Sequence, residues 1–319
     1  MKSIAALTAA AALLFAAPLA AQQQRPMRVI LPVSAGSGVD AIVRAAASAL
    51  SDALAQPVVV ENLPGAGGIT GTSALVKAAP DGTTVAVVSN NHVTNPAVYK
   101  SLPYDSLADI TPIAIIGATP FVLVVNPKKL PVNNAKELVA LLKANPGKYN
   151  YASSGNGTII HLGGAMFADA AGVEITHVPY KGMGPMISDL MGGQVDLGVA
   201  SLPSVQGQLK SGALRAIGVT GSQGTPAAPE LPTLAEQGLT GMDVAGWFAV
   251  VGPARLPASE VKRIHDAFAN AYATPAVREA MAKQGNDIHV STSEEAARFF
   301  REETARYAVL VKKIGLTID

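Results

Sequence analysis

Short apolar runs alternate along the chain with longer segments in which apolar residues recur at helical spacing. Residues 27–31 form the first run, and residues 39–54 follow with Ile42, Ala46 and Leu50 on one helical face. Further strands are predicted at residues 58–61, 84–89, 149–152, 175–178, 195–200 and 214–219, with helices at 69–77, 158–170 and 184–191. This rhythm predicts an α/β fold of right-handed βαβ units on mainly parallel sheets.

Two extended crossings divide this pattern into two α/β lobes. We place the first crossing near residues 121–125 and the second near residues 244–250. The first lobe would then comprise residues 22–122 and 245–319, and the second lobe residues 123–244. Thr292 and Glu295 form a capping-box pattern that opens the last helix of the discontinuous first lobe.

The N-terminus has the pattern of a secretory signal peptide. Lys2 precedes an apolar run over residues 4–17, and small residues stand before Gln22. The run is shorter than the roughly 20 apolar residues that an uncleaved membrane anchor needs. We therefore expect residues 1–21 to be cleaved and the mature protein to reach the periplasm.

The composition and the spacing of residues argue against nucleic-acid, metal and cofactor binding. The chain has no cysteine, and its 24 basic and 23 acidic side chains balance once Lys2 is removed. A neutral chain without a basic stripe is a poor nucleic-acid partner. The five histidines have no metal-binding spacing, and residues 65–71 miss the dinucleotide fingerprint, so we expect neither a metal nor a cofactor.

Two segments, residues 32–40 and 151–161, share the order strand, Gly/Ser loop and helix. Glycine lets a ligand approach the backbone, and the start of a helix offers unpaired N–H donors that suit an anion. Neither loop contains Lys or Arg, so a carboxylate would be held by dipoles and hydroxyls. Ordinary capped turns are the alternative for either loop alone. We expect Asp40 to brace the first loop by accepting its amides.

Motifs along nearly the whole mature chain resemble the Bug-type receptors of tripartite tricarboxylate transporters. The matching stretches are residues 56–62 with 64–68, 79–82, 95–99, 102–105, 144–148, 151–158 with His161, 177–182 and 193–196. The resemblance implies a two-lobed Venus-flytrap fold of periplasmic binding proteins, with no catalysis. It also implies that two loops pinch one carboxylate of the ligand, partly through water.

The candidate ligand-binding residues combine the loop positions that the resemblance marks with Ser34, Asp40 and His161 of the same two loops and with four positions that we nominate for the far end of the ligand. The first loop supplies Ser34, Gly36, Ser37, Gly38 and the bracing Asp40; the second supplies Ser153, Ser154, Gly157, Thr158 and His161; the far end of the ligand would meet Asn91, His92, Ala200 and Ser201. Val33, Ser37 and Val39 depart from the usual family pattern, as does the apolar stretch 198–200. Ser37 favours a different pocket shape near Gly36, and the apolar stretch 198–200 favours a pocket that is partly apolar or aromatic beyond the carboxylate.

The sequence therefore predicts a monomeric extracytoplasmic binding protein for a small mono- or dicarboxylate, with aromatic acids among the candidates. Its partners would be the membrane subunits of a tripartite transporter, or the protein would act as a sensor. The alternative is an exported hydrolase that uses a loop serine with His161 as its base. The chain has no G-x-S-x-G nucleophile elbow, which disfavours that alternative.

Overall fold

The computed structural model describes residues 25–316, in which the first of two sheets has six strands. These strands are β1 (Met27–Leu31), β2 (Val58–Asn62), β3 (Thr84–Ser89), β4 (Ile110–Thr119), β10 (Gly246–Pro253) and β11 (Asp287–Ile288), in the spatial order β11-β4-β10-β3-β1-β2. β1 pairs in parallel with β2 and β3, whereas every pair that involves β4 or β10 is antiparallel. The late strand β10 thus lies in the middle of a sheet built from early strands.

The second sheet takes its five strands from one continuous part of the chain. They are β5 (Phe121–Val125), β6 (Asn150–Ser153), β7 (Thr176–Pro179), β8 (Leu197–Ser201) and β9 (Arg215–Val219), in the order β7-β6-β8-β5-β9. β6 is parallel to β7 and β8, while β5 runs antiparallel to β8 and β9. We call the unit built on each sheet the first and the second lobe.

Helices flank both sheets. The first lobe contains α1 (Gly38–Leu54), α2 (Ile69–Val76), α3 (Asn91–Val98), α8 (Ala258–Ala273), α9 (Pro275–Lys283) and α10 (Ser293–Ile314). The second contains α4 (Ala135–Lys143), α5 (Ile159–Ala171), α6 (Met183–Gly192) and α7 (Leu202–Lys210). The apolar stripe of α1, including Ile42 and Leu50, is fully buried against the first sheet and α8, as its spacing predicts.

A buried polar network ties the chain to α10 where it returns to the first lobe. The side chain of Asn90 accepts a hydrogen bond from the Trp247 amide and donates to the Tyr307 hydroxyl. Trp247 Nε1 donates to Glu303, which also binds Arg306 through both carboxylate oxygens. Because buried polar groups need partners, this network fixes the second crossing on one face of α10.

The two-lobed α/β fold expected from the sequence is confirmed, and the Thr292–Glu295 capping box is present at the start of α10. The sheets are mixed, however, and not mainly parallel. The reason is that residues 121–125 and 246–253 are not free crossings: they enter the sheets as β5 and β10 and run antiparallel to their neighbours. The predicted lobe boundaries at residues 122 and 244 stay predictions.

The helices α3, α4 and α7 and the strands β4 and β11 were not predicted from the sequence. The predicted signal peptide, residues 1–21, lies outside the described residues. Within residues 25–316 no helix is both long enough and apolar enough to cross a bilayer.

Candidate functional site

The two lobes meet where several helices begin. A Cβ atom added at Gly38 would lie 3.6 Å from Ser201 Oγ, and one added at Gly182 would lie 3.1 Å from Ser34 Oγ. Each contact joins the first loop, residues 32–38, to the start of a helix of the second lobe. The N-termini of α1, α6 and α7 therefore lie together where the two lobes face each other, and we call this interlobe surface the cleft.

A second pair of contacts joins α3 to the second loop, residues 153–158. Asn91 Oδ1 accepts a hydrogen bond of 2.8 Å from the Ile159 amide, the first amide of α5. The Tyr99 hydroxyl donates to the Asn156 carbonyl oxygen at 3.4 Å. The structure thus holds both Gly/Ser loops against the opposite lobe, with the start of α5 directed toward α3.

The first loop is shaped by Gly36 and capped by Ser37. Gly36 has φ of +77°, a conformation that residues with a Cβ rarely adopt. Ser37 Oγ accepts from the Asp40 amide at 3.3 Å and so caps α1. The amides of Gly38 and Val39, in the first turn of α1, have no intrahelical acceptor and remain available at the positive end of a 17-residue helix.

Asp40 braces the first loop, as the sequence predicts. One carboxylate oxygen accepts the Gly36 amide at 2.9 Å, while the other accepts Arg44 Nε at 2.8 Å and Asn62 Nδ2 at 2.9 Å. Burial alone would raise the pKa of Asp40, but the hydrogen bonds from Gly36, Asn62 and Arg44 outweigh it and lower that pKa. The carboxylate is ionised and fully engaged within its own lobe.

The hydroxyls of the second loop also serve the loop itself. Thr158 Oγ1 accepts the His161 amide at 3.3 Å as the N-cap of α5 and donates to the Gly155 carbonyl at 2.8 Å. Ser154 Oγ donates to Thr158 Oγ1 at 3.3 Å. Ser153 is completely buried and hydrogen-bonds within the loop. The hydroxyls of Ser153, Ser154 and Thr158 are therefore all engaged within the second loop.

His161 lies beneath the second loop and does not point across the cleft. Its Nδ1 accepts the Gly157 amide at 3.2 Å, and its ring stacks on His177 with centroids 3.6 Å apart. His177 Nε2 lies 2.7 Å from Ser153 Oγ. Burial lowers the pKa of His161 and of His177 to about 4, so both rings are neutral at neutral pH.

His92 turns into the first lobe. Its Nε2 donates to the Ser106 carbonyl at 2.7 Å, and its ring stacks on Tyr104 and meets Phe300 edge-on. Burial lowers the pKa of His92 to about 4. The ring lines a cavity of about 10 Å³, room for one water molecule, between the start of the first loop and α3.

Ala200 and Ser201 lie at the end of β8 and occupy different environments. Ala200 is completely buried in the sheet, opposite Val122, whereas Ser201 Oγ approaches Gly38 and hydrogen-bonds to Ser204 Oγ at 2.6 Å. The structure thus brings Ser34, Gly38, Asn91 and Ser201 to the cleft. It places Asp40, His92, His161 and Ala200 behind it, where they support the walls.

The sequence matches a family of known receptors. Residues 42–316 match the sequence profile of the tripartite tricarboxylate transporter family receptor. BugT of Bordetella pertussis is 35% identical over 304 residues, which cover 94% of this chain and 93% of that protein. The chain belongs to this receptor family.

Solved structures place the receptor in the same group. The periplasmic binding protein BugD is 31% identical, with a TM-score of 0.86 and coverage of 92% of this chain and 99% of that one. The R. palustris protein Rpa4515, solved with adipate, is 30% identical, with a TM-score of 0.88 and coverage of 93% and 100%. The resemblance to Bug-type receptors drawn from the motifs is confirmed.

Three groups of the receptor's cleft were missed by sequence reasoning. They are Gly182, which meets Ser34, the Tyr99 hydroxyl, and His177 under the second loop. Gly182 and His177 belong to the stretch 177–182, which the sequence marks as a family motif. That motif was a signal for both residues, but their contacts depend on packing between distant segments.

Proposed function

We propose that this receptor is a periplasmic solute-binding protein that captures a small mono- or dicarboxylate between its lobes for a tripartite tricarboxylate-type transporter. Its family membership and the adipate-bound relative support the ligand class. The ligand-binding set proposed from the sequence acts in two ways: residues at the cleft contact the ligand, and residues behind it hold the loops. Aromatic acids stay among the candidate ligands, because the nearby stretch 198–200 is apolar.

One observation carries the proposal: the start of α1 faces the second lobe with two amides that no intrahelical carbonyl can accept. Amides at a helix start and the helix dipole together bind an anion. Neither loop contains a basic residue, and Arg44 is held by Asp40 and Asn62. The two loops would therefore hold the carboxylate by dipoles and hydroxyls, so it could be released when the lobes separate.

We infer that the receptor is a monomer without catalytic activity that docks on membrane subunits, with a sensor role as the other possible use of the same clamp. A hydrolase needs an accessible serine next to a free histidine. Ser153, which pairs with His177, is completely buried, and His161 Nδ1 is engaged by the Gly157 amide. These features disfavour a serine–histidine hydrolase in the second loop.

The division into a first lobe of residues 22–122 and 245–319 and a second lobe of residues 123–244 is likewise our proposal, as is cleavage of residues 1–21. The two sheets support the division, because the chain passes between them at Pro120 and again between β9 and β10. Binding would close the lobes about these two passages.

Substitution of Gly38 tests the amide grip with a matched pair. Gly38→Pro removes the N–H at the first helical position, where proline is favoured, and Ser37 already has the extended backbone that a following proline requires. Gly38→Ala keeps the N–H, and its Cβ would make only an ordinary contact with Ser201. Thermal shift against a panel containing adipate, benzoate and their neutral amides identifies a carboxylate probe, and calorimetry measures its affinity.

We expect carboxylates, and not the amides, to stabilise the wild type. Loss of one hydrogen bond to a charged group costs about 1.5–3 kcal/mol, so Gly38→Pro should weaken binding by roughly 10-fold to 100-fold. Gly38→Ala should stay within about threefold of the wild type. Equal affinities of the two variants would refute the amide grip. A wild type that no carboxylate of the panel stabilises would refute the proposed function.

A further inference from the structure

Two neutral imidazole rings form the floor of the second loop. His161 belongs to the first turn of α5 and His177 to β7, and their rings are parallel within 8° at a centroid distance of 3.6 Å. The Tyr151 ring leans on both, at 6.2 Å from His161 and 4.9 Å from His177. The pair is therefore enclosed by α5, β6 and β7.

Each ring holds a different end of the loop. His161 Nδ1 accepts the Gly157 amide, and His177 Nε2 bonds to Ser153 Oγ. Ser153 Oγ in turn accepts the Gly155 amide at 3.2 Å. The amides of Gly155 and Gly157 are thus directed inward, which leaves the outer side of the turn and the start of α5 to face the cleft.

The contact with Gly157 requires a neutral ring, because an imidazole nitrogen accepts a hydrogen bond only when it carries no proton. Burial disfavours the charged form of both rings, and at His161 repulsion from His177 adds to it. Among residues 25–316, Tyr151 is the other titratable group whose ring contacts the pair, and burial raises its pKa to about 12, so it too is neutral. His161 Nδ1 therefore remains a hydrogen-bond acceptor throughout the neutral pH range.

We propose that His161 and His177 are positioning residues that fix residues 153–158 in the one backbone conformation that receives the ligand's carboxylate. This assignment rests on the proposed function, since it concerns the same cleft. Neither ring touches the ligand; each acts through the loop that it holds.

Stacked rings also fill space, so the experiment must separate hydrogen bonding from packing. His161→Asn places an amide oxygen near the position of Nδ1 and keeps an acceptor for Gly157, whereas His161→Leu fills volume without an acceptor. His177→Gln and His177→Leu form the matching pair for Ser153. In each pair, the asparagine or glutamine variant should retain the loop protection and the ligand affinity that the leucine variant loses.

The first measurement needs no ligand. Amide hydrogen exchange by NMR reports the protection of Gly157 in each variant, and the ¹⁵N shifts of the His161 ring report whether Nδ1 is unprotonated. We expect an unprotonated Nδ1 in the wild type and exchange of the Gly157 amide that is faster by about tenfold or more in His161→Leu. In His161→Asn the protection should return to within about threefold of the wild type.

The second measurement is calorimetry with the carboxylate of the panel that stabilises the wild type most. His161→Leu and His177→Leu should each bind it about tenfold more weakly, while the asparagine and glutamine variants stay within about threefold. The proposal would be overturned if the affinity depended on the volume of the side chain and not on its hydrogen-bond acceptor. It would also be overturned if the Gly157 amide exchanged equally fast in all variants. If no carboxylate binds the wild type, the proposed function fails, and the exchange data still decide whether the rings hold the loop.

Discussion

The two Gly/Ser loops that face the cleft have the same order of elements but are braced in opposite ways. The first is held by the ionised carboxylate of Asp40, which accepts hydrogen bonds from a loop amide, an arginine and an asparagine. The second is held by two neutral rings, His161 and His177. Asp40 and His161 are buried within their own lobes, His177 is half-buried, and both rings are neutral, so neither brace places a charge opposite the ligand.

This difference teaches how two loops without cationic side chains can still be rigid. A charged brace makes strong hydrogen bonds, but its loss leaves several groups unpaired. A neutral brace makes weaker hydrogen bonds but keeps charge away from an incoming anion. The two lobes should therefore differ in their sensitivity to substitution and to pH.

The largest effect is expected from removing the charged brace. Asp40→Leu leaves the Gly36 amide, Arg44 and Asn62 without their shared acceptor, and we expect the free energy of unfolding to fall by about 2–4 kcal/mol. Urea unfolding measures this loss. Asp40→Asn retains one acceptor oxygen and should lose less than half as much, and a leucine variant no worse than His161→Leu would contradict the difference between the braces.

As the pH falls, protonation should destabilise the neutral braces, His161 and His177, before it affects Asp40. The pKa of His161, of His177 and of His92 is lowered from 6.5 to about 4 in the folded protein. Between pH 6.5 and 4 the unfolded chain therefore binds more protons than the folded protein does. The stability linked to these three rings is fully present above pH 6.5 and is lost as the pH falls toward 4. Asp40, with a pKa lowered from 3.8, contributes its loss only below that range.

Urea unfolding at successive pH values checks this order. The double variant His161→Asn, His177→Gln should lose less stability than the wild type between pH 6.5 and 4, because two of the three rings are gone. Asp40→Asn should keep the slope of the wild type there. A double variant with an unchanged slope would exclude the rings as its source.

A smaller effect is expected where the first loop touches the second lobe. Gly182 has φ of +112°, and an added Cβ would meet Ser34 Oγ at 3.1 Å. Gly182→Ala should cost about 1–3 kcal/mol in strain, because φ of +112° with ψ of 175° is a conformation that essentially only glycine adopts, and it should hinder lobe closure and so weaken carboxylate binding in calorimetry. Gly184→Ala, in open space within α6, is the matched control and should leave the affinity unchanged.

The smallest effect is expected at the far end of α5. Lys313 of α10 pairs with Asp169 at 2.8 Å, but both side chains are largely exposed, at 66% and 44%. Exposed pairs contribute about 0–1 kcal/mol, so Lys313→Gln should change the free energy of unfolding by less than about 0.5 kcal/mol. A larger loss would show that the second loop depends on the whole of α5 and not only on its first turn.

The sequence predicted the parts of the fold that depend on local patterns. The helix α1, the capping box of α10 and both Gly/Ser loops follow from periodicity and from turn residues. The helix α3 was missed because its eight residues include Pro96 and weak helix formers; it is held instead by contacts such as Asn95 Nδ2 to the Gly67 carbonyl. Strand direction in β5 and β10, and the pairing of His161 with His177, depend on distant segments that no local pattern reports.

The central position of β10 has a consequence for how the protein is made. All five strands of the second sheet lie within residues 121–219, whereas β3 and β4 of the first sheet are joined only by β10, which ends at Pro253. As the polypeptide emerges, the later-starting unit has every strand it needs before the earlier one does. The pairings of the second sheet also span shorter stretches of sequence than the pairing of β10 with β3, so refolding of the complete chain should show protection of β5–β9 amides before those of β1–β4.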